Sequence, residues 1–304
     1  MDRRRFLKEV ALWTAGLSLA VPRFMIPTAN AATPQSALAV ATGKDYGALT
    51  ARVLEPLGGI TAFVKPGEAV VIKPNIGWDR TPEQGANTHP LVVAALARLS
   101  LEAGAKEVKV FDRTCNEERR CYQRSGIRPA LLALDDGRVR CEYIDGRKFV
   151  PVDIVKGKSI NRWKFYGDAL EADCYINVPV AKHHGLSALS LGLKNTMGVI
   201  GGNRGKIHQD IGQKLADLGS VVRPRLTVID ATRLLLRNGP QGGDVNDVKI
   251  NDMLIASADP VAADAYATTL FGMNPDAITS TVAAHGMGLG QIDLTKVKID
   301  ETAL

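Results

Sequence analysis

This 304-residue chain lacks both C-x-x-C cysteine motifs and glycine-rich nucleotide-binding motifs. Its four cysteines form no C-x-x-C pair, which excludes the spacings of zinc knuckles and iron–sulfur clusters. No G-x-G-x-x-G follows the first predicted strand, and no stretch fits the phosphate-binding pattern G-x-x-x-x-G-K-[ST]. A G-x-S-x-G nucleophile elbow is also lacking. The sequence therefore offers no motif from which a cofactor can be named, and the cofactor is unknown at this point.

Aromatic residues, at 5%, and basic tracts are scarce as well. The formal charge is +6, but residues 1–32 hold five Lys or Arg against two Asp or Glu, so half of the excess belongs to the N-terminus. The remaining chain is nearly balanced, with 33 basic and 30 acidic residues. This composition gives no case for nucleic-acid binding.

The N-terminus has the layout of an export signal. The arginine pair Arg3-Arg4 precedes a mostly apolar run at 10–21, and Ala29-Asn30-Ala31 supplies a small-x-small cleavage site. The head resembles a twin-arginine signal, although Asp2 replaces the usual Ser or Thr. We therefore expect residues 1–32 to engage the twin-arginine export machinery and to deliver a soluble protein to the periplasm. The run is too short to span a bilayer. The alternatives to an export signal are an uncleaved N-terminal anchor or an amphipathic surface helix.

The expected periplasmic location bears on whether the four cysteines form disulfides. Cys115 and Cys121 are close enough in sequence to bridge across one loop and turn, so an oxidising periplasm favours a disulfide between them. The alternative is that some of the cysteines are buried small apolar residues. Cys174, within the apolar stretch 173–176, suits that second role.

A βαβ unit is predicted between residues 69 and 111. The continuous apolar run at 69–72 is typical of a strand buried on both faces. A helix follows, with Thr88 as its expected N-cap and Pro90 near its first position. It ends before Gly104, and 107–111 forms the next strand.

The strand and helix patterns continue to the end of the chain. Further strands are predicted at 173–178, 225–229 and 252–256, and helices at 187–198 and 260–271. The sequence thus predicts an α/β fold: a mostly parallel central sheet with helices on both faces. We expect a single domain over residues 33–304, with a small lobe or insertion at about 137–168.

Polar side chains follow five of the predicted strands. Because the carboxyl ends of parallel strands meet at one edge of a sheet, these side chains are expected to line a shared ligand cleft. The residues expected there are Lys73, Asn75, Asp112, Lys182, His183 and Asp264.

The residue types in this cleft indicate a small anionic ligand. Lysine offers a positive charge to a carboxylate or phosphate, so we expect binding by Lys73, Asn75, Lys182, Lys194 and Asn195. Histidine titrates near neutral pH, which makes His183 or His184 the expected general acid or base, with Asp112 and Asp264 as partners. A metal ion is the alternative occupant, with candidate ligands His183, His184, His208 and Asp264. Solvent-exposed loops without a site are the simplest alternative.

Taken in order, these segments resemble the bacterial and archaeal family catalogued as domain of unknown function 362. The resemblance spans about residues 69–295. The matching pieces are Val71-Ile72-Lys73-Pro74-Asn75, Thr88-His89-Pro90, Val110-Phe111-Asp112, Asn177-Val178-Pro179, Lys182-His183-His184, Leu193-Lys194-Asn195-Thr196-Met197-Gly198, Val228-Ile229-Asp230, Gly239-Pro240-Gln241-Gly242-Gly243, Asp259-Pro260-Val261-Ala262-Ala263-Asp264 and Gly286-Met287-Gly288-Leu289-Gly290.

The resemblance implies no defined activity, because the family has none established. Some members look fused to a ferredoxin-like segment, which implies iron–sulfur or other redox work, but this sequence lacks that segment. Two hypotheses follow. The chain is an enzyme acting on a small anionic metabolite, or it is a non-catalytic periplasmic binding or maturation factor for a redox partner protein.

Overall fold

The structure, a computed structural model, describes residues 36–304. The predicted export segment at 1–32 lies outside the described residues. The strands are β1 (Ala37–Thr42), β2 (Ala69–Pro74), β3 (Glu107–Val110), β4 (Val139–Cys141), β5 (Phe149–Asp153), β6 (Arg162–Tyr166), β7 (Cys174–Val178), β8 (Val180–His184), β9 (Ala188–Ser190), β10 (Leu226–Leu235), β11 (Val248–Ser257) and β12 (Lys298–Ala303).

Helices separate most of these strands. They are α1 (Tyr46–Leu54), α2 (Pro90–Glu102), α3 (Glu118–Arg124), α4 (Ile127–Leu132), α5 (Gly167–Leu170), α6 (Gly192–Asn195), α7 (Ile211–Gly219), α8 (Pro260–Thr269) and α9 (Thr279–Gly286). Among residues 36–304, none of these helices is both long and apolar enough to cross a membrane.

The central sheet has ten strands and is mostly parallel, as predicted. Its order is β12-β1-β11-β10-β7-β2-β3-β4, and β8 pairs with β10 and with β9. The pairs along β7-β2-β3-β4 are all parallel, as is the contact between β10 and β7. Of the stretch 137–168, β4 joins the edge of this sheet, while β5 and β6 pair with each other as a second sheet.

Apolar side chains alternate between the two faces of the sheet. Along β2, Val70 and Ile72 pack with Val92 of α2, whereas Val71 points to the opposite face and packs with Leu215 of α7. A strand buried on both faces needs this near-continuous apolar run, because successive side chains point in opposite directions. Helices therefore cover both faces, as the sequence predicts.

The start of α2 differs from the prediction. His89 is the N-cap, and its Nδ1 accepts a hydrogen bond from the amide of Leu91 at 3.3 Å. Thr88, the predicted cap, joins two strand ends instead: its hydroxyl accepts from the Asn75 amide and donates to the Val178 carbonyl. Thr88 thereby fixes the loop after β2 against the end of β7.

The predicted helix at 187–198 is wrong. The chain turns back after β8 and forms the antiparallel strand β9, and only then come the single turn α6 and a short 3₁₀ turn at Thr196–Val199. Leu189 and Leu191, two residues apart, are both buried against the same core, which is the period of a strand. The hairpin rather than a helix therefore leads into the strand-end region.

The direction of β11 also differs from the prediction. This strand runs antiparallel to both β1 and β10, so its carboxyl end lies at the opposite edge of the sheet from the ends of β2, β3 and β7. The loop after β11, which leads to Asp264, consequently does not share the edge with the other polar loops. One of the five predicted strand-end loops is thus removed from the cleft.

Candidate functional site

A cavity of about 580 Å³ lies at the carboxyl ends of β2, β3 and β7. Eight of the residues named from the sequence line it: Lys73, Asn75, Asp112, Lys182, His184, Lys194, Asn195 and His208. Two others, His183 and Asp264, do not. The parallel part of the sheet therefore brings most of the predicted residues together, as strand-end geometry requires.

Lys73 and Asp112 form a buried ion pair at the floor of this cavity. Lys73 Nζ lies 2.8 Å from Asp112 Oδ1, and the two side chains are 1% and 3% exposed. The amide of Ile76 donates to Asp112 Oδ2 at 2.6 Å, and Lys73 Nζ donates to Asn195 Oδ1 at 2.7 Å. Burial lowers the pKa of Lys73 even though Asp112 opposes the shift. The pair is thus satisfied internally and its charges cancel.

Gly198 packs directly onto this ion pair. A Cβ atom at this position would fall on Asp112 Oδ1 and Lys73 Nζ, far inside van der Waals contact. The backbone amide of Arg113 also donates to the Gly198 carbonyl at 3.0 Å. A glycine is therefore required here by space, since any side chain would displace the pair.

Lys182 reaches the cavity because of its place in β8. Side chains alternate along a strand, so Lys182 and His184 point to one face and His183 to the other. Lys182 is 1% exposed and donates to the Ala86 carbonyl and, at 3.2 Å, to Asn75 Oδ1. Burial lowers the pKa of Lys182 to about 7, and the charge of nearby Lys194 acts in the same direction.

Three further cations face the cavity without a carboxylate partner among the described residues. Lys194 Nζ lies 3.1 Å from the Met197 sulfur, and burial lowers the pKa of Lys194 to about 8. Arg204 donates to the backbone carbonyls of Arg113 and Thr114, both at 2.8 Å. Arg113 donates to the backbone carbonyls of Ile200 and Gly202. Carbonyl oxygens position these guanidinium groups but leave their charge uncompensated.

His184 is positioned to donate a hydrogen bond from Nε2 into the cavity. Its Nδ1 accepts from the amides of Leu186 and Ser187 at 3.0 and 3.3 Å, which places the ring proton on Nε2. Burial, helped by the charge of Lys194, lowers the pKa of His184 to about 3. The ring stacks on His208 with 6.2 Å between centroids. A general-base role for His184 at neutral pH is therefore disfavoured.

His183 and Asp264 lie outside the cavity, against expectation. His183 points away from it and its Nδ1 accepts from the Gly239 amide at 3.2 Å, tying β8 to a neighbouring loop. Asp264 is 1% exposed and accepts from the amides of Gly192 and Leu193, so it holds the start of α6 from behind. Burial raises the pKa of Asp264 to about 7.

The metal-binding alternative is not supported by these positions. Of the four candidate ligands, only His184 and His208 line the cavity, and their rings stack rather than converge on one point. Within residues 36–304 no group of three or more His, Cys, Asp or Glu side chains is placed to hold a metal ion.

The predicted disulfide is wrong as well. All four cysteines are free, and the two proposed partners face different surroundings. Cys115 is exposed and lines the cavity beside Arg204, whereas Cys121 is buried in α3 with its sulfur 3.9 Å from the Gly77 carbonyl. Cys174 is buried within β7, as expected.

Sequence reasoning missed Arg113 and Arg204 as site residues. Arg113 lies beside Asp112 in the loop after β3, so the strand-end rule places it at this edge, although only Asp112 was named as a site residue. Arg204 comes from a glycine-rich loop after α6, and its contacts with residues 113 and 114 are fixed only by the folded chain. No local sequence pattern predicts the contacts of Arg204 with residues 113 and 114.

One known protein resembles this chain in sequence, and two solved structures resemble it in fold. A protein of Synechocystis sp. called thylakoid-associated protein sll1697 is 33% identical over 245 residues, which cover 78% of this chain and 73% of that protein. A crystal structure of a Thermotoga maritima protein shares 13% identity with a TM-score of 0.45, covering 76% of this chain and 60% of its own. The lactate racemase apoprotein from Thermoanaerobacterium thermosaccharolyticum shares 11% identity with a TM-score of 0.43, covering 73% and 54%.

The family match covers the whole cavity. The sequence matches the family described as domain of unknown function (DUF362) over residues 70–269, a range that includes every residue lining the cavity. The resemblance inferred from the strand-end motifs is thereby confirmed. This chain belongs to the DUF362 family.

Proposed function

We propose that the protein binds a small anionic molecule in this cavity. The observation that carries the proposal is charge: five lining residues are lysine or arginine and one is aspartate. Asp112 is already occupied by Lys73, so Lys194, Arg113 and Arg204 have no acidic partner in the cavity. Keeping such charges out of water is costly unless an anion compensates them.

The size of the cavity fits a metabolite. About 580 Å³ lies within the roughly 300–1,000 Å³ typical of small-molecule sites. A carboxylate or phosphate group would be held by Lys194 and Arg204, with His184 Nε2 as a further donor. Asn75 and Asn195 act through the lysines they position, because their amide oxygens accept from Lys182 and Lys73.

Oxalate provides a direct test of anion binding. We expect calorimetry to detect oxalate but not its neutral counterpart oxamide. Lys194→Met should weaken oxalate binding by about tenfold or more, because a hydrogen bond to a charged group contributes about 1.5–3 kcal/mol. Lys156→Met, at an exposed lysine away from the cavity, serves as the matched control and should bind oxalate normally. Equal affinity of both variants would contradict the proposal.

We further propose that residues 1–32 direct export by the twin-arginine route. Replacing Arg3 and Arg4 by Lys should leave the precursor in the cytoplasm, because that machinery reads the paired guanidinium groups. Arg5→Lys, at the variable position of the pattern, is the control and should be exported normally. Cell fractionation with immunoblotting measures the distribution. Periplasmic accumulation of the Arg3/Arg4 variant would rule this route out.

A further inference from the structure

Lys182 differs from the other lysines of the cavity in its partners. Lys73 is paired with a carboxylate, and Lys194 touches a thioether sulfur. Lys182 Nζ instead donates to two neutral oxygen atoms, the Ala86 carbonyl and Asn75 Oδ1. No carboxylate among residues 36–304 forms an ion pair with it. Its environment therefore does not require the charged ammonium form.

The two hydrogen bonds match a neutral amine. A neutral primary amine has two N–H bonds and one lone pair, and Ala86 and Asn75 accept both of those N–H bonds. In the neutral form the remaining direction at Nζ would carry the lone pair, and Lys182 lines the cavity. Burial lowers the pKa of Lys182 to about 7, so a large fraction of the amine is neutral at physiological pH.

We propose that the side-chain amine of Lys182 forms a Schiff base with the carbonyl group of a small oxo acid bound in this cavity. The inference rests on the proposed anion binding and adds the chemical class of the ligand. Desolvated lysines beside other cations are the kind that react with carbonyl compounds, because the neutral amine is the nucleophile.

The other groups of the cavity suit the two ends of an oxo acid. Lys194 and Arg204 would hold its carboxylate, since neither has a carboxylate partner of its own. His184 would donate from Nε2 to the carbonyl oxygen and increase the electrophilicity of the carbon. A pre-positioned donor of this kind stabilises the negative charge that develops on that oxygen during attack.

The step balances without any further reagent. The Lys182 nitrogen adds to the carbonyl carbon, and a proton moves from nitrogen to oxygen to give a carbinolamine. The carbon–oxygen bond then breaks and water leaves, with a carbon–nitrogen double bond in its place. One proton from solvent keeps the imine protonated, and no electron is gained or lost.

Reductive trapping with pyruvate tests the inference on the full-length protein. Pyruvate and sodium cyanoborohydride at pH 7 should convert the imine into a stable secondary amine, which peptide mass spectrometry locates. We expect Lys182 to be modified at least about tenfold more than exposed Lys156, because an ordinary lysine is almost fully protonated at this pH. Acetone, which lacks the carboxylate, should modify Lys182 far less than pyruvate.

Two variants and one pH comparison complete the design. Lys182→Arg keeps a long basic side chain without a primary amine and should abolish the adduct, while Lys156→Arg should leave it unchanged. Trapping should already proceed near pH 7, and a rate that rises only above pH 9 would overturn the inference. An adduct found mainly on Lys73 or Lys194, or spread evenly over exposed lysines, would overturn it too. If Lys182→Arg fails to fold, the position of the adduct in the wild-type protein still shows whether Lys182 is the residue that reacts.

Oxalate separates this inference from the proposed function. Oxalate carries two carboxylates but forms no imine under these conditions, so its binding reports the cations alone. Oxalate binding without a Lys182 adduct would overturn the Schiff base and leave anion binding standing. Absence of oxalate binding would overturn the proposed function itself.

Discussion

Asp112→Ala is expected to lower the free energy of unfolding by about 3–5 kcal/mol, because it leaves the ammonium ion of Lys73 buried without a counter-charge. The pair is 2.8 Å apart and its side chains are 1% and 3% exposed, so solvent screens the remaining charge only weakly. The amide of Ile76 loses its acceptor in the same variant. Urea unfolding followed by circular dichroism measures the change.

An exposed ion pair supplies the matched control. Arg98 and Glu102 lie 2.6 Å apart on α2 but are 50% and 53% exposed. Glu102→Ala should cost no more than about 1 kcal/mol, because solvent screens such pairs. The double variant Lys73→Met/Asp112→Leu should recover much of the stability, since it removes both buried charges. An Asp112→Ala variant as stable as Glu102→Ala would show that the pair is not buried as described.

Gly198→Ala is expected to lower the free energy of unfolding by a similar amount, about 3–5 kcal/mol, since the added methyl group forces apart the same buried pair. Its Cβ would occupy the space of Asp112 Oδ1 and Lys73 Nζ. Oxalate binding should fall with it, because Lys73 and Asp112 form the cavity floor. Urea unfolding and calorimetry on the same preparation measure both effects.

Gly137→Ala distinguishes this steric effect from a general intolerance of alanine. A Cβ at Gly137 would meet no atom within 4 Å, and its backbone is not in the left-handed region. That variant should change stability by less than about 0.5 kcal/mol and leave oxalate binding intact. If Gly198→Ala behaved like Gly137→Ala, the close packing on the ion pair would be contradicted.

The βαβ core could be predicted because local signals agree there. The apolar run of β2, the helix that starts at Pro90 and the strand β3 each have a clear pattern, and parallel pairing follows from the helical connection. That geometry is enough to bring Lys73 and Asp112 to the same edge of the sheet. Their contact at 2.8 Å is a consequence of strand order rather than of any motif.

The direction of β11 and the pairing of β8 with β9 could not be predicted from local sequence patterns. An apolar run such as that of β11 looks the same whether it runs parallel or antiparallel, and the direction decided that Asp264 left the cleft. The segment after β8 contains leucines that suit either a helix or a strand over a few residues. Pairing with β9 settled the alternation along β8, which keeps Lys182 and His184 in the cavity and removes His183 from it.

The cavity is closed by contacts between distant parts of the chain. Lys73 meets Asn195 across 122 positions, Lys182 meets Ala86 across 96, and Arg204 meets Arg113 across 91. Contacts of such long sequence separation slow folding, because loop-closure entropy is lost before the contacts form. A nascent chain must therefore extend past Arg204 before the cavity exists, so ligand capture reports completion of folding rather than an early stage of synthesis.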